Sequence, residues 1–421
     1  MRILFASVLC VALMGGATAA HAADGPPDDL DALSLADRPA APPTAARPWR
    51  LYAELAGGRD HWRGGAVPTD LTRGALDFRY DGRWSDSLRG VLSNRFDHVR
   101  RGTPRERSDV NALREVYLGW QPRDDLGVDA GRINVRHGAA WGFNPTDYFK
   151  DNALRVVVSP DPAQLRENRL GTVALRGQWL SGAGAFSATL SPRLTRRGPS
   201  EDTWSLDLGA TNDRNRWLLT ASRKFGERLD AEVLLHGGES TPKELGLNAS
   251  VLATGALVGF LEFSTGEGPS FADRALARAQ PRHTQRRAAA GATYTTGFNL
   301  SLTAEADYST AGLDRAEWQA SSPAERQRLL VASQRLQELP VRRALFVYAT
   351  WKDAFVRRLD VSGFVRHDPV THGRVQWLET RYRADRMDVA LQWQGFSGRS
   401  ASLFGSVPQA RTVELSLRFY L

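Results

Sequence analysis

The sequence predicts an all-β chain folded as a transmembrane antiparallel up-and-down β-barrel of about 18 strands, with 16 to 20 allowed, whose long loops carry short helices. The first observation is alternation. At the end of the chain, five apolar residues alternate with polar ones: Val413, Leu415, Leu417, Phe419 and Leu421. Residues 298–308 repeat this pattern. A period of two places the two sets of side chains on opposite faces of a β-strand.

Two further observations favour a membrane barrel over soluble β-sandwiches. No stretch after residue 22 reaches the roughly 18 apolar residues that a membrane helix needs, yet 42% of the residues are hydrophobic. The chain also lacks the repeats of roughly 100 residues and the linkers expected of a string of sandwiches. In a membrane barrel the apolar face of each strand contacts lipid and the polar face lines a lumen.

The N-terminal residues have the features of a secretory signal peptide. Met1-Arg2 precede an apolar run, and Ala20-His21-Ala22 form a cleavage site, so residues 1–22 are predicted to be removed. The only cysteine, Cys10, lies in this segment, which leaves the mature chain without disulfides or thiolate sites. Residues 23–48 are rich in Pro, Asp and Ala and are predicted to be a flexible periplasmic lead. The barrel then occupies residues 49–421.

Nineteen alternating segments follow the lead. They begin at Trp49 and Leu76 and continue as 86–97, 110–120, 126–136, 170–181, 184–192, 203–212, 216–225, 229–238, 246–254, 256–265, 286–296, 298–309, 342–352, 356–366, 374–383, 387–396 and 411–421. Single-chain bacterial outer-membrane barrels normally have an even number of strands. We therefore expect 18 strands, with the error in the region 183–238, where consecutive connections are short.

The connections between these segments alternate in kind. Tight turns such as Thr254-Gly255 and Thr296-Gly297 contrast with long polar loops at 58–71, 98–109, 137–169, 266–285, 310–341 and 397–410. Short turns at one end and long loops at the other are typical of outer-membrane barrels. Nine tryptophans near predicted strand ends indicate an interfacial girdle: Trp49, Trp84, Trp120, Trp179, Trp204, Trp217, Trp351, Trp377 and Trp393.

Two of the long loops contain helix starts. Ser322-Pro323-Ala324-Glu325 is a capping box that predicts a helix to about Glu338. Its apolar stripe would be Leu329, Leu330, Leu336 and Leu339. Asp161-Pro162 begins a shorter helix toward Asn168. Such helices either fold into the lumen or decorate the surface.

The chain carries a formal charge of +8, and nearly all of its basic residues are arginine, with only four lysines. Two explanations of this composition stay open: codon usage in a GC-rich genome, and a lumen that favours anions. An exported chain is not expected to bind nucleic acid.

The densest set of candidate functional residues lies in residues 131–169. Two arginines two pleats apart, Arg132 and Arg136, are expected on one strand face, with a loop after them that brings mixed charge into the lumen. The predicted constriction comprises Arg132, Arg136, Asp147, Arg155, Arg166, Glu167 and Arg169. Gly138, Trp141, Gly142, Asn144 and Pro145 are the predicted structural residues of this segment. A simple Arg–Asp clasp that holds the loop down is the alternative, and both roles can coexist.

Catalysis and metal binding are not expected. No serine, histidine and acid have the spacing of a lipase-type barrel, and isolated pairs such as Asp60-His61 and Asp97-His98 arise by chance. The eight histidines are scattered, and no carboxylate cluster has ligand spacing. We predict neither an enzyme nor a cofactor.

The motif of this segment resembles that of bacterial outer-membrane barrels of the alginate-export type and related porin-like exporters. The resemblance rests on Gly131-Arg132, Gly138, Trp141-Gly142 and Asn144-Pro145-Thr146-Asp147. It implies an arginine-lined, loop-gated pore, contact with outer-membrane lipid, and assembly by periplasmic chaperones and the barrel-insertion machinery. One departure is the last residue, Leu421, where such barrels most often end in Phe or Trp.

The functional expectation is a monomeric channel in the cell outer membrane that passes a hydrophilic, anionic small solute or polysaccharide. Inward arginines would attract the cargo, acidic partners would keep it from sticking, and loops 137–169 and 310–341 would set the width. One rival is a barrel that exports lipid or hydrophobic cargo through a lateral opening, which would show as a gap in strand pairing. Another is a sealed structural barrel.

Overall fold

The computed structural model describes residues 47–421 except 103–106, 156, 158, 240 and 280. The predicted signal peptide and all but the last two residues of the predicted lead lie outside the described residues. Eighteen strands form one sheet: β1 Trp49–Trp62, β2 Thr69–Arg83, β3 Leu88–Arg101, β4 Arg107–Arg123, β5 Leu126–Ile133, β6 Thr172–Ser181, β7 Gly184–Ser191, β8 Arg216–Phe225, β9 Leu229–Gly238, β10 Thr241–Thr254, β11 Leu257–Gly268, β12 His283–Thr295, β13 Leu300–Ser309, β14 Arg343–Trp351, β15 Leu359–Asp368, β16 Gly373–Arg383, β17 Met387–Ser397 and β18 Gln409–Tyr420.

The sheet closes into a barrel through its first strand. β1 pairs antiparallel with β2 on one side and with β18 on the other. Each remaining strand pairs antiparallel with its two neighbours in the chain. The predicted antiparallel up-and-down barrel of about 18 strands is confirmed.

The outer face of the wall is apolar and the inner face is polar, as predicted. On the outside, Leu55 is 59% exposed and Leu415 is 51% exposed, whereas Glu54 and Glu414, which point inward, are 3% and 8% exposed. Apolar side chains therefore cover the outside of the barrel, and polar side chains pack inside it. This arrangement is that of a membrane barrel and the inverse of a soluble β-protein.

Short α-helices occur in the loops at one end of the barrel. They are α1 Pro162–Glu167, α2 Leu208–Thr211, α3 Phe271–Leu276, α4 Arg315–Ala320 and α5 Pro323–Leu336. Both predicted helix starts are confirmed: Ser322 and Glu325 form a capping box at α5, and the side chain of Asp161 accepts from the N–H of Ala163 at α1. No helix among the described residues has the length and apolar character to cross a bilayer.

One of the nineteen predicted strands is wrong, and it lies in the expected region. Residues 203–212 belong to a loop, here called the rim loop (residues 192–215), because the backbone of Asp207 adopts the left-handed conformation (φ 51°) and α2 follows at once. Trp204 and Leu206 alternate with polar residues as in a strand, which explains the error.

Three further predictions need correction. The loops at 58–71 and 98–109 are shorter than predicted. β1 continues to Trp62 and β2 begins at Thr69, while β3 continues to Arg101 and β4 begins at Arg107. Trp377 is not in the girdle: it points into the barrel, is 2% exposed, and donates its indole N–H to Gln392 at 3.2 Å. Trp204 lies in the rim loop and not at a strand end, but its side chain is exposed and stacks on Phe96 on the outer face of β3, with ring centroids 5.5 Å apart.

The wall is lower over β5 to β8 than elsewhere at the long-loop end, which is the extracellular end of outer-membrane barrels. β5 stops at Ile133, while β4 extends beyond it. The rim loop completes the wall there: the N–H of Asn111 on β4 donates to the carbonyl of Thr203 at 3.0 Å. A small apolar cluster of Ala112, Leu170 and Ala210 packs behind this junction.

Candidate functional site in the lumen

The chain between β5 and β6, here called the luminal loop (residues 134–171), passes through the inside of the barrel. Two carboxylates from the opposite wall bind its backbone. Glu262 on β11 accepts from the N–H of Ala140 at 2.6 Å. Glu305 on β13 accepts from the N–H groups of Trp141, Gly142 and Phe143 at 2.7, 3.0 and 2.9 Å. The loop is thereby attached to the wall by charge-assisted hydrogen bonds.

The two glycines of the motif permit this close approach. Gly138 has φ +87°, a conformation that side chains other than glycine rarely adopt, and a Cβ there would overlap the carboxylate of Glu262. A Cβ at Gly142 would lie 2.7 Å from the ring of Phe346 on β14. Both residues are therefore needed for the loop backbone to reach the wall.

The remainder of the motif fastens the loop to itself and to β10. Asn144 donates its side-chain N–H to the carbonyl of Ala140 at 2.5 Å, and the carbonyl of Asn144 accepts from Lys150 Nζ at 2.7 Å. Thr146 Oγ1 donates to Asn248 Oδ1 at 2.8 Å. Pro145 between them is buried.

An arginine–aspartate clasp joins the two ends of the luminal loop. Arg169 binds the carboxylate of Asp147 and donates to the carbonyl of Val135 at 2.9 Å. Both charged side chains are nearly fully buried. For these two residues, the geometry is that of a clasp that holds the loop down.

Arg166 on α1 covers the indole of Trp141. Its guanidinium lies 4.9 Å from the ring centroid and donates to the carbonyl of Ala140. Burial lowers the pKa of Arg166, and the nearby Arg136 and Arg169 act in the same direction against Glu262 and Asp147. Trp141 also packs against Tyr348 on β14, with ring centroids 5.6 Å apart.

The second half of the luminal loop reaches the wall on β14 and β17. Asp161 accepts from the hydroxyl of Tyr348 at 2.9 Å, and Ser159 Oγ lies 3.4 Å from Gln392 Oε1. Burial raises the pKa of Asp161. With its anchors on β10, β11 and β13, the loop therefore contacts the wall from β10 to β17 before it returns to β6.

The luminal loop also joins the loops that cover the long-loop end. The N–H of Asn152 donates to the carbonyl of Arg335 at 2.8 Å, and Gln337 Nε2 donates to the carbonyl of Lys150 at 2.7 Å. Asp151 pairs with Arg274 on α3 at 2.7 Å and with Arg214 of the rim loop at 3.6 Å. We call α3 to α5 with residues 398–408 the cap; its apolar core includes Phe271, Trp318, Leu329 and Leu336.

Arg132 is not beside Arg136 on one strand face, as the sequence suggested. β5 ends at Ile133, and Arg132 pairs with Val116, whose side chain is on the outer face of β4. Arg132 is 2% exposed and donates to the carbonyls of Gly171 at 2.9 Å and Leu206 at 2.5 Å. It lies in the wall, where it holds the rim loop.

Arg155 and Glu167 occupy different surroundings. Arg155 donates to the carbonyls of Ser205 and Asp202, so it joins the luminal loop to the rim loop. Glu167 is the last residue of α1, and its side chain is exposed.

Arg136 is the predicted residue with the most available charge. Within the described part of the chain, its guanidinium makes no hydrogen bond or ion pair, and its Nε is buried without a partner. Burial and the neighbouring Arg169 both lower the pKa of Arg136. An arginine keeps its proton at neutral pH even so. The luminal loop therefore carries a half-buried cation without a counter-ion.

Sequence reasoning missed the inward carboxylates that position the loop. Glu262 and Glu305 lie on the polar faces of their strands, and Glu305 belongs to the alternating segment 298–308. The available signal was a carboxylate in the middle of the polar face of a predicted strand. A second set of inward charges was also missed, including Arg73, which pairs with Glu414 at 2.7 Å and Glu54 at 3.2 Å.

Solved structures of bacterial outer-membrane proteins share this architecture. OccAB1 of Acinetobacter baumannii matches with a TM-score of 0.57 at 10% identity, over 89% of this chain and 96% of that chain. OccK2 (OpdF) of Pseudomonas aeruginosa has a TM-score of 0.54 at 12% identity, over 89% and 97%. A BenF-like porin from Pseudomonas fluorescens Pf-5 has a TM-score of 0.54 at 10% identity, over 89% and 98%. The chain has the fold of an outer-membrane porin. No protein-family model and no curated protein sequence matches it.

Proposed function

We propose that this porin-fold chain is an outer-membrane channel for hydrophilic solutes that carry an anionic group. The observation that carries the proposal is Arg136, a cation on the luminal loop without a counter-ion among the described residues. A fixed positive charge at a narrow part of a lumen raises the local concentration of anions and lets them pass when binding stays weak.

The acids near Arg136 support this interpretation because most of them are already engaged. Glu115 accepts from Arg79 at 2.6 Å, and Asp147 is bound by Arg169. Glu167 is exposed and acts on Arg136 only through its charge. An anionic solute would supply the partner that Arg136 lacks.

The inside of the barrel is polar over most of its wall, which favours a hydrophilic cargo over a lipid. Ion pairs such as Arg95–Asp97 at 2.9 Å and Arg114–Asp77 at 2.7 Å line the part of the wall opposite the anchors of the luminal loop. Among the described strands, pairing is continuous around the sheet, which argues against a lateral opening. Processing of residues 1–22 and insertion by the barrel-assembly machinery belong to the same proposal.

The test is ion selectivity in a planar lipid bilayer. Reversal potentials in a salt gradient should show anion preference for the wild type, and Arg136→Gln should lower the anion-to-cation permeability ratio about twofold or more, because one unscreened charge is removed from the lumen. Arg357→Gln, at an exposed position in the turn before β15, removes the same charge outside the lumen and should leave the ratio unchanged.

Two results contradict the proposal. A wild-type barrel without measurable current would indicate a sealed lumen. Equal permeability ratios for wild type and Arg136→Gln would remove Arg136 from the path of the ions.

A further inference from the structure

The outer surface of the barrel carries an arginine at the extracellular end of every second strand from β12 to β18. These four residues, here called the arginine row, are Arg286, Arg343, Arg374 and Arg411. Each shares the outer face of its strand with lipid-facing residues, as Arg343 does with Leu345 and Arg411 does with Val413. All four side chains are exposed.

The arginine row has no acidic partner in the part of the chain that the structure describes. Of the four guanidinium groups, only that of Arg374 makes a side-chain hydrogen bond within the described residues, to Ser397 Oγ at 2.9 Å. Acidic residues on the outer face at this end are mostly engaged elsewhere: Asp70 pairs with Arg59 at 3.0 Å, and Asp109 pairs with His98. Glu267 on β11 remains exposed. The outer surface from β12 to β18 is therefore positive at this height.

An aromatic residue follows each arginine of the row eight positions later on the same outer face. The aromatic residues are Tyr294, Trp351, Tyr382 and Phe419. Eight residues of strand span about 27 Å, which becomes about 20 Å along the membrane normal at the usual strand tilt, close to the height of the apolar band of such barrels. The aromatic residues thus lie at the periplasmic interface and the arginines at the opposite one.

The pairing register keeps the arginine row at one height. Arg343 pairs with Tyr308, which pairs with Ala288, two residues after Arg286. In the same way, Arg374 pairs through His367 with the residue two after Arg343.

The last member follows the same step. Arg411 pairs through Gly395 with Gln376, two residues after Arg374. A step of two residues over two strands is a slope of about 35°, which matches the tilt of strands in these barrels. The arginine row is consequently parallel to the membrane plane, with neighbours about 12 Å apart.

We infer that the arginine row is a binding surface for phosphate-bearing lipid of the extracellular leaflet. Guanidinium groups bind phosphate through paired hydrogen bonds, and this row presents them at the height of lipid headgroups, above a continuous apolar wall. Lipid phosphates would supply the anionic partners that the row lacks among the described residues. The inference concerns the outside of the barrel and does not depend on what passes through the lumen.

The test compares two variants of equal charge in neutral detergent. One replaces the four row arginines with glutamine, and the control replaces the exposed arginines Arg83, Arg228, Arg357 and Arg386 at the periplasmic end in the same way. Binding of bisphosphorylated lipid A is measured by titration and by native mass spectrometry of the retained lipid. We expect the row variant to raise Kd about tenfold or more, and the control to match the wild type.

Other probes separate lipid binding from simple anion binding. Phosphatidylcholine should not compete, and lipid A retention should fall at high salt. Equal Kd for wild type and row variant, an equal loss in the control, or displacement of lipid A by millimolar inorganic phosphate would overturn the inference. Heat-shifted gel mobility verifies folding. If the fourfold variant does not fold, Arg343→Gln with Arg374→Gln should weaken binding, and the same pair changed to lysine should largely restore it.

Discussion

At the scale of single residues, the inward carboxylates explain how a polar loop is held inside the barrel. Glu305 accepts three consecutive backbone N–H groups, and Glu262 accepts a fourth. Backbone donors in a lumen otherwise bind water, so the loop would have several solvated positions of similar energy. The carboxylates select one position because hydrogen bonds to a charged acceptor are stronger than those to water.

This role predicts the effect of Glu305→Gln. The amide group of glutamine places a donor against the three N–H donors of the loop, so docking of the luminal loop should weaken by about 3 kcal/mol. Single-channel recordings should show larger and noisier conductance. Glu267→Gln, at an exposed outward position on β11, is the matched control. Conductance in Glu305→Gln equal to that of the control would show that the loop does not restrict the lumen.

The candidate residues illustrate where the sequence stopped being informative. The spacing of Gly138, Trp141, Gly142 and Asn144 was sufficient to identify the segment that enters the barrel. The separate roles of Arg132 and Arg136 were not predictable, because they depend on whether β5 ends three residues earlier or later. Hydrogen bonds to carbonyls of a distant loop, such as that of Arg132 to Leu206, have no signature in local spacing.

At the scale of elements, Asp151 connects three loops that are far apart in the chain. It belongs to the luminal loop, Arg274 to the cap and Arg214 to the rim loop. Burial alone would raise the pKa of Asp151, but Arg274, Arg214 and Lys150 together lower it to about 2. The usual pKa of an aspartate is about 3.9.

These values predict acid-induced loosening of the loops. Because the pKa of Asp151 is depressed in the folded chain, its contribution to stability is complete above about pH 4 and is lost as the pH falls through about 2. Hydrogen exchange of residues 150–155 and 271–276, corrected for intrinsic rates, should accelerate in this window. Asp151→Asn should exchange faster at neutral pH and show a weaker dependence on pH. An unchanged pH profile in that variant would contradict the assignment.

Strand number and helix starts were predictable because they rest on local patterns. Alternation located the segments, and the even-number rule removed one of nineteen. The rim loop was not predicted because Trp204 and Leu206 alternate with polar residues as in a strand. The left-handed backbone of Asp207, whose side chain accepts from the N–H of Ser200 at 2.8 Å, has no signature in this alternation. Trp377 was misplaced because alternation does not reveal which aromatic residues pack against an internal loop.

At the scale of the whole molecule, the described part of the barrel wall depends on side chains above the end of β5. Elsewhere, continuous backbone hydrogen bonds join adjacent strands. Above the end of β5, the wall consists of the rim loop, which side chains connect to its surroundings. Arg132 donates to the carbonyl of Leu206, and the side chain of Asn212 bonds the backbone of Val173 on β6. The carbonyl of Thr203 also accepts from the N–H of Asn111. A region held by side chains and not by a continuous ladder of backbone hydrogen bonds opens at lower free energy than the strands around it.

Arg132→Gln should therefore act on stability and not on selectivity. Glutamine cannot reach both carbonyls with a charged donor, so hydrogen exchange should accelerate in residues 203–212, with a local loss of about 2 kcal/mol. The anion preference should remain that of the wild type. Lys352→Gln, in an exposed periplasmic turn, is a suitable control. Altered selectivity with unchanged exchange would return Arg132 to the path of the solute.

The short strand ends over β5 to β8 also affect where the barrel begins to unfold. Heat, detergent or mechanical tension is expected to open the barrel first where strand pairing is shortest. That place is the junction between β4 and the rim loop. Unfolding is expected to begin at this junction and then to proceed around the barrel strand by strand. A cross-link between residues 111 and 203 should therefore delay the start of unfolding, which heat-shifted gel mobility would show as a higher transition temperature.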